Sequence, residues 1–328
     1  MQIGSACRYG ESFVLGRRWY KSDESFLEKI SMGAIGTDQV FRDLETMGHN
    51  PLELERGSMS FKIWKTIKIK RIRVPDILCV NCGRRVESRT KTTLELSMSH
   101  SSSDPERAWD YGLDDRDFVA FVACRRVGDG PLDWSASELV QYASVGQLRA
   151  ACVAGHAVVE KPKGREEGYE TRIMWPAAVS SSAGVITDVT PERIQYKREY
   201  DGRCVTLSLT RRRPPLTLPV LVRAGDSVSE DQFLAAVVPV VRSFACERDA
   251  SELHYLGLLS NRALSKRYAS ARALSFFCSD AVTEALASTM DNADEHIYVR
   301  LEAAASLARL GDETGIRFIT GRLADSSL

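Results

Sequence analysis

The stretch VPDILCVNCGRRVESRTK, residues 74–91, decides how the first half of the chain is read. Pro75 and Asp76 close a run in which Ile63, Ile67, Ile69 and Ile72 alternate with basic residues, the period-two pattern of a strand or hairpin. Asn81 to Gly83 supply a turn, after which the extended pattern continues. Residues two apart on a strand share a face, so Glu87, Arg89 and Lys91 point the same way. Asp76 ends one strand and Glu87 lies on the next, so the two carboxylates meet at one point. Magnesium is held by one or two carboxylates together with phosphate oxygen and water. A cationic side chain beside such a pair can orient the attacking water and neutralise charge developing on the phosphate. Taken singly, each residue has a plainer use. An Asp after Pro forms turns, and Glu87 with Arg89 or Lys91 makes a solvated strand face with cross-strand ion pairs.

Basic residues crowd this region. From Phe61 to Lys91 there are ten Lys and Arg against Asp76 and Glu87, a net charge of +8 on a chain whose 44 basic and 44 acidic residues cancel. Such a block points to a polyanion met at one face, and equally suits a strand edge protected from aggregation. Upstream, Ile35, Val40, Phe41, Leu44 and Met47 form one helical stripe between Ser22 and Gly48. Gly33 and Gly36 suggest a break into two helices, with Thr37 capping the second. Downstream, DFVAFVACRRV (117–127) reads as a buried strand, and WSASELVQYASVGQLRAACVAG as helix. These elements make an α/β domain over 1–155.

Their order resembles the PD-(D/E)XK nuclease superfamily, the restriction-endonuclease-like fold, over about residues 30–125. The resemblance rests on the opening helix, the basic segment, Pro75-Asp76, a hairpin, Val86-Glu87-Ser88-Arg89 and the strand Phe118–Cys124. It implies a magnesium-dependent (or manganese-dependent) DNA endonuclease, or a nuclease subunit, of the kind found in bacterial restriction and anti-phage defence. Asp76 and Glu87 match the metal-binding acids, and the motif lysine falls on Arg89. Arginine keeps its proton near neutral pH, so it can bind phosphate or orient water but cannot serve as a base. Lys91, one step along the same face, is the substitute candidate for that catalytic place, and Asp38 or Asp43 for an acid from the helix. Lys62, Lys65, Lys68, Lys70, Arg71 and Arg73 would contact the DNA backbone without reading sequence. The departure at Arg89 keeps an alternative open, an inactive nuclease-like DNA-binding or scaffolding protein with a partner-binding arm.

Cys79 and Cys82 form CVNCG at the hairpin tip, half of a zinc site or simply two half-buried thiols. A zinc site would need Cys7, His49, His100 or Cys124 to converge from afar. Eight scattered Cys are not a disulfide framework, and a reducing cytoplasm is expected. Trp64, Trp109 and Trp134 are candidates for base stacking or for the core.

At 328 residues the chain exceeds the ~250–300 at which one core stops growing, and multiple domains are expected. Residues 170–245 are rich in short turn-bounded strands, and RAGDSVSEDQFLAAVVPVV resembles a barrel-sandwich hybrid. Residues 247–328 are helical, with YASARALSFFCSDAVTEALASTM echoed about 33 residues later as LEAAASLARLGDETGIRFITGRL. That echo resembles HEAT or armadillo repeats, whose helix pairs stack on their neighbours and offer a surface to partner proteins. No apolar run spans a bilayer, the first residues lack the pattern of a secretory signal, and no Gly-x-Ser-x-Gly, Walker loop or GxGxxG appears. Membrane, dinucleotide and ATPase functions are therefore not expected.

Overall fold

The computed structural model describes residues 23–54, 74–101, 105–160 and 170–324. Lys62, Trp64, Lys65, Lys68, Lys70, Arg71 and Arg73 lie outside the described residues, as do Cys7 and the expected strand around Ile63–Ile72. A helix, α1 (Asp23–Thr46), opens the fold without a break. The expected interruption at Gly33 and Gly36 is absent because Gly36 serves close packing. A Cβ at Gly36 would meet Thr90 Oγ1 at 1.9 Å, so glycine lets α1 lie on strand β3 (Arg85–Lys91).

Five strands make the N-terminal sheet, in the order β1 (Pro51–Glu53), β2 (Ile77–Cys79), β3, β5 (Phe118–Arg126) and β6 (Trp134–Ser144). β1, β2 and β3 form an antiparallel meander, β5 runs parallel to β3, and β6 returns antiparallel to β5. Val40 and Leu44 of α1 bury one face with Ile77, Val86, Val122, Val140 and Tyr142. On the other face Leu96, Met98, Phe121, Leu148 and Trp175 form a second core. The crossover from β3 to β5 passes through β4 (Ser97–Ser101), which pairs with β8 (Glu170–Met174) beside β7 (Val158–Glu160).

The stretch expected to be helical from Trp134 onward is divided. Its first part is β6, and only Val145–Val153 is a helix, α2. Ser and Ala favour no strand strongly, but pairing with the buried β5 from Phe118↔Ser144 to Arg126↔Trp134 outweighs local preference. Trp109 is buried edge-on to Trp175, 5.0 Å between centroids, so it serves the core and not base stacking.

The middle region is β-rich, as expected. It contains β9 (Ala177–Val179), β10 (Gly184–Val189), β11 (Arg193–Arg198), β12 (Cys204–Ser208), β13 (Thr210–Arg212), β14 (Pro215–Thr217), β15 (Ser227–Val228) and β16 (Phe233–Ala236). β16 joins this region to the first: Phe233 and Ala236 belong to the core around Trp175, Leu234 and Ala235 to the core around Ile186 and Tyr196.

The C-terminal region is helical: α3 (Glu252–Leu258), α4 (Leu264–Ala273), α5 (Asp280–Asp291), α6 (Ile297–Arg309) and α7 (Glu313–Ala324). The sequence echo has a packing cause, since Ala271 and Ala304, and Leu274 and Leu307, are all fully buried. The helices do not contact only one another. Leu54, Leu78 and Val80 of the N-terminal region share their core with Tyr255, Ala271 and Leu274. Tyr255 Oη donates to Val80 O at 2.7 Å. Among the described residues no helix is long and apolar enough to cross a membrane.

Arg85 and Asp117 hold together the starts of β3 and β5. Asp117 accepts the Arg85 backbone N–H at 2.8 Å and its guanidinium at 2.6 Å, and both side chains are buried. Removing Asp117 leaves the buried Arg85 guanidinium with only the half-exposed Asp114 at 2.9 Å and the Gly112 carbonyl. It also strips the acceptor from the Arg85 and Asp114 backbone N–H groups, so Asp117→Ala should cost about 3 kcal/mol in urea unfolding. A loss near that of an exposed ion pair would contradict this role.

Candidate functional site

β2 and β3 pair only through Ile77↔Val86 and Leu78↔Arg85, and beyond Ile77 they separate. Asp76 occupies that opening. Its carboxylate accepts the Ser88 backbone N–H at 2.7 Å, replacing a strand-to-strand bond. Continuing the register by one residue sets Asp76 toward Glu87, just past the last paired position. Glu87 accepts an ion pair from Arg89 at 2.7 Å, and both side chains are half-buried. Burial, then the charge of Glu87, holds the Asp76 carboxyl well above its ordinary range, while Arg89 and the Ser88 N–H oppose the shift and Glu53 adds to it. Asp76 itself is half-buried as a residue. Ser88 Oγ and Arg89 Nε are enclosed with no hydrogen-bond partner among the described residues.

Asp76, Glu87 and Arg89 are thus brought together, and Lys91 is not. Lys91 lies about 13 Å further along the strand than Glu87. Its ammonium bonds Glu95 at 3.1 Å and the Ser97 hydroxyl, and burial pulls it below the ordinary lysine range, with Glu95 opposing. The two acids of α1 are also committed elsewhere. Asp43 accepts from Tyr142 Oη at 2.7 Å, and Asp38 pairs with Arg42. The extra carboxylate near Asp76 comes instead from Glu53 of β1, which sequence reasoning did not single out. Beside Glu53 opens a cleft of about 900 Å³, lined by Asp38, Gln39 and Arg42 of α1, Trp134 of β6 and Arg272 of α4.

Of the ten basic residues behind the +8 block, four serve the fold. Arg84 pairs with Glu247 at 2.5 Å, Arg85 with Asp117, Arg89 with Glu87 and Lys91 with Glu95.

A second constellation sits at the other end of β2. His49, Cys79, Cys82 and Cys246 place one ligand atom each within 4.8 Å of one another, and these four residues could hold a metal ion. Cys79 ends β2, Cys82 lies in the turn, His49 follows α1, and Cys246 precedes α3. Gly83 completes the turn at φ 67°, a conformation that favours glycine, and His254 Nε2 would stand 3.1 Å from any Cβ there. Hydrogen bonding from Cys82 draws the Cys79 thiol well down and leaves that of Cys82 raised, the behaviour of a pair that shares one proton. The sequence pointed to Cys79, Cys82 and His49, while Cys246 escaped notice; neither His100 nor Cys124 belongs to the cluster, and Cys7 lies outside the described residues. No family model matches the chain, and neither the curated proteins nor the solved structures contain a match to it.

Proposed function

We propose that the N-terminal region binds DNA and hydrolyses its phosphodiester bonds with a magnesium or manganese ion held by Asp76 and Glu87. The observation that carries this reading is the carboxylate of Asp76 set in the opening between β2 and β3, facing Glu87, with Arg89 alongside. The donor set suits a hard cation, because two carboxylates repel each other there, while the enclosed Arg89 Nε, a donor only, suits a phosphate oxygen or water beside the ion. The sequence of helix, antiparallel meander and parallel strand supports the resemblance to PD-(D/E)XK nucleases. When bound, the ion would polarise the scissile phosphate and acidify a water molecule. Arg89 would bind a phosphate oxygen, and Asp76 would fix the position of the pair through Ser88.

A second reading, a DNA-binding scaffold without cleavage, draws on the placement of Lys91. Arg89 cannot release a proton near neutral pH, and Lys91 is held by Glu95 and Ser97 away from the acids. Titrating magnesium against supercoiled plasmid separates the two. Cleavage that rises with magnesium supports hydrolysis, tight binding without cleavage supports the scaffold, and absence of DNA binding defeats both.

Binding should also be strongly salt-dependent. With Arg84, Arg85 and Lys91 engaged internally, this reading assigns the backbone phosphate contacts to Lys62, Lys65, Lys68, Lys70, Arg71 and Arg73, which lie outside the described residues. About six contacts should weaken affinity roughly a thousandfold between about 50 and 200 mM salt. A flat response would remove the basic block from the interface.

A further inference from the structure

We propose that His49, Cys79, Cys82 and Cys246 form a closed structural zinc site that clasps the sheet to the segment leading into the helical arm. This stands apart from the nuclease reading, because none of the four residues belongs to the Asp76 site and the test measures no catalysis. Three thiols and one imidazole are soft or borderline donors, the set that selects zinc over magnesium or calcium. The distances fit the ion. A tetrahedron with Zn–S bonds of about 2.3 Å has sulfur–sulfur edges of about 3.8 Å. Cys79 Sγ and Cys246 Sγ are 3.8 Å apart, and Cys82 Sγ and His49 Nδ1 are 3.7 Å apart. The same sulfur separation is far too long for a disulfide, whose bond is about 2.04 Å.

The surroundings favour metal binding at the right atoms. His49 Nε2 lies 3.2 Å from the Phe244 carbonyl, which can only accept, so the ring proton sits on Nε2 and Nδ1 is left with a lone pair. A second hydrogen bond of this kind orients metal-binding histidines generally. Asn50 donates its backbone N–H to Cys79 Sγ at 3.4 Å, as suits a thiolate. Phe244 also covers the group, stacked on Phe118 at 4.0 Å and 4.7 Å from the His49 ring. His49, Cys79 and Cys82 are buried, and four protein ligands fill a tetrahedron, so no position remains for substrate.

The ligands come from three places in the chain that no local pairing joins: the end of α1, the β2–β3 turn, and the stretch before α3. Immediately after Cys246, Glu247 pairs with Arg84 and Asp249 with Arg116, so the clasp and these ion pairs fasten the same segment. Removing the ion should therefore free that segment before it disturbs the distant β-rich region.

The test uses the full chain purified without added metal. Elemental analysis should find one zinc per chain, and exchange for cobalt should give the intense visible and thiolate charge-transfer bands of a tetrahedral sulfur-rich site. Cys246→Ser should lose its zinc to a chelator that the parent chain withstands, whereas Cys204→Ser, at an exposed cysteine outside the cluster, should retain it. Chelation should open the segment around residues 244–252 to limited proteolysis. Because Cys246→Ser could also impair folding, the cobalt spectrum of the parent chain is decisive by itself. Weak octahedral cobalt bands, a folded chain that takes up no zinc, or a native disulfide between Cys79 and Cys246 would each overturn the proposal.

Discussion

A fragment ending at residue 246 is expected to lose the cooperative fold of the N-terminal region, although every strand of its sheet and all four Cys/His ligands are present. A repeat array alone predicts the opposite, since its units contact mainly their neighbours. Here the helices complete the core over β1 and β2. Leu54, Leu78 and Val80 are 3%, 2% and 3% exposed in the full chain, and the residues covering them include Tyr255, Ala271 and Leu274. Burying an aliphatic side chain is worth roughly 1.5–3 kcal/mol, so uncovering three forfeits about 5–9 kcal/mol. That is comparable to the ~5–15 kcal/mol by which an entire domain is stable. The cut also removes the Tyr255 hydrogen bond to Val80 and the pairing partners of Arg84 and Arg116. Circular dichroism melts and gel filtration would read the outcome. A monodisperse fragment melting within a few degrees of the full chain would show that the arm is dispensable to the sheet. By retaining Cys246, the fragment separates loss of this core from loss of the clasp.

The legible and the hidden parts of the molecule differ for identifiable reasons. DFVAFVACRRV could be placed as a buried strand because its apolar run is short and turn-bounded, and it became β5. The turn at Asn81–Gly83 was visible in its glycine, and the α5 and α7 helices in the repeat of small and apolar residues. β6 was hidden because Trp134–Ser144 carries no strong local preference, and pairing with a distant strand decided it. The candidate site divides in the same way. Asp76, Glu87 and Arg89 meet through a hairpin, whose register can be counted along the chain. His49 precedes Cys82 by 33 residues, and Cys246 follows Cys79 by 167, so only the folded chain selects them from five His and eight Cys. The basic block was readable as charge, yet not as accessible charge, because the partners of Arg84, Arg85, Arg89 and Lys91 include residues remote in sequence.

Asp76→Asn should abolish magnesium-dependent cleavage and at the same time stabilise the metal-free protein. Burial and Glu87 raise the folded-state pKa of Asp76 above the ordinary 3.8. Between those two values the folded chain keeps a proton that the unfolded chain has lost, so stability falls as pH rises through that window. Wherever the folded chain carries this carboxyl ionised it therefore costs stability, and a cation between Asp76 and Glu87 would relieve that cost. Asparagine keeps an oxygen for the Ser88 N–H and removes the charge that Glu87 opposes. Each kcal/mol regained should appear as about 2–4 °C in Tm, the scale for domains of roughly 150–250 residues. Magnesium at a hundredfold excess over its Kd should stabilise the parent chain by about 2.7 kcal/mol and the variant by little. Lewis-acid assistance worth about 4 kcal/mol corresponds to roughly a thousandfold in rate, so cleavage by the variant should fall by at least that factor. DNA affinity should hardly change, because Asp76 contributes no positive charge. Calorimetric scans with and without magnesium, paired with plasmid cleavage, test the whole argument. A variant that is less stable without metal, gains as much from magnesium as the parent and still cleaves would mean that Asp76 merely closes the β2–β3 turn.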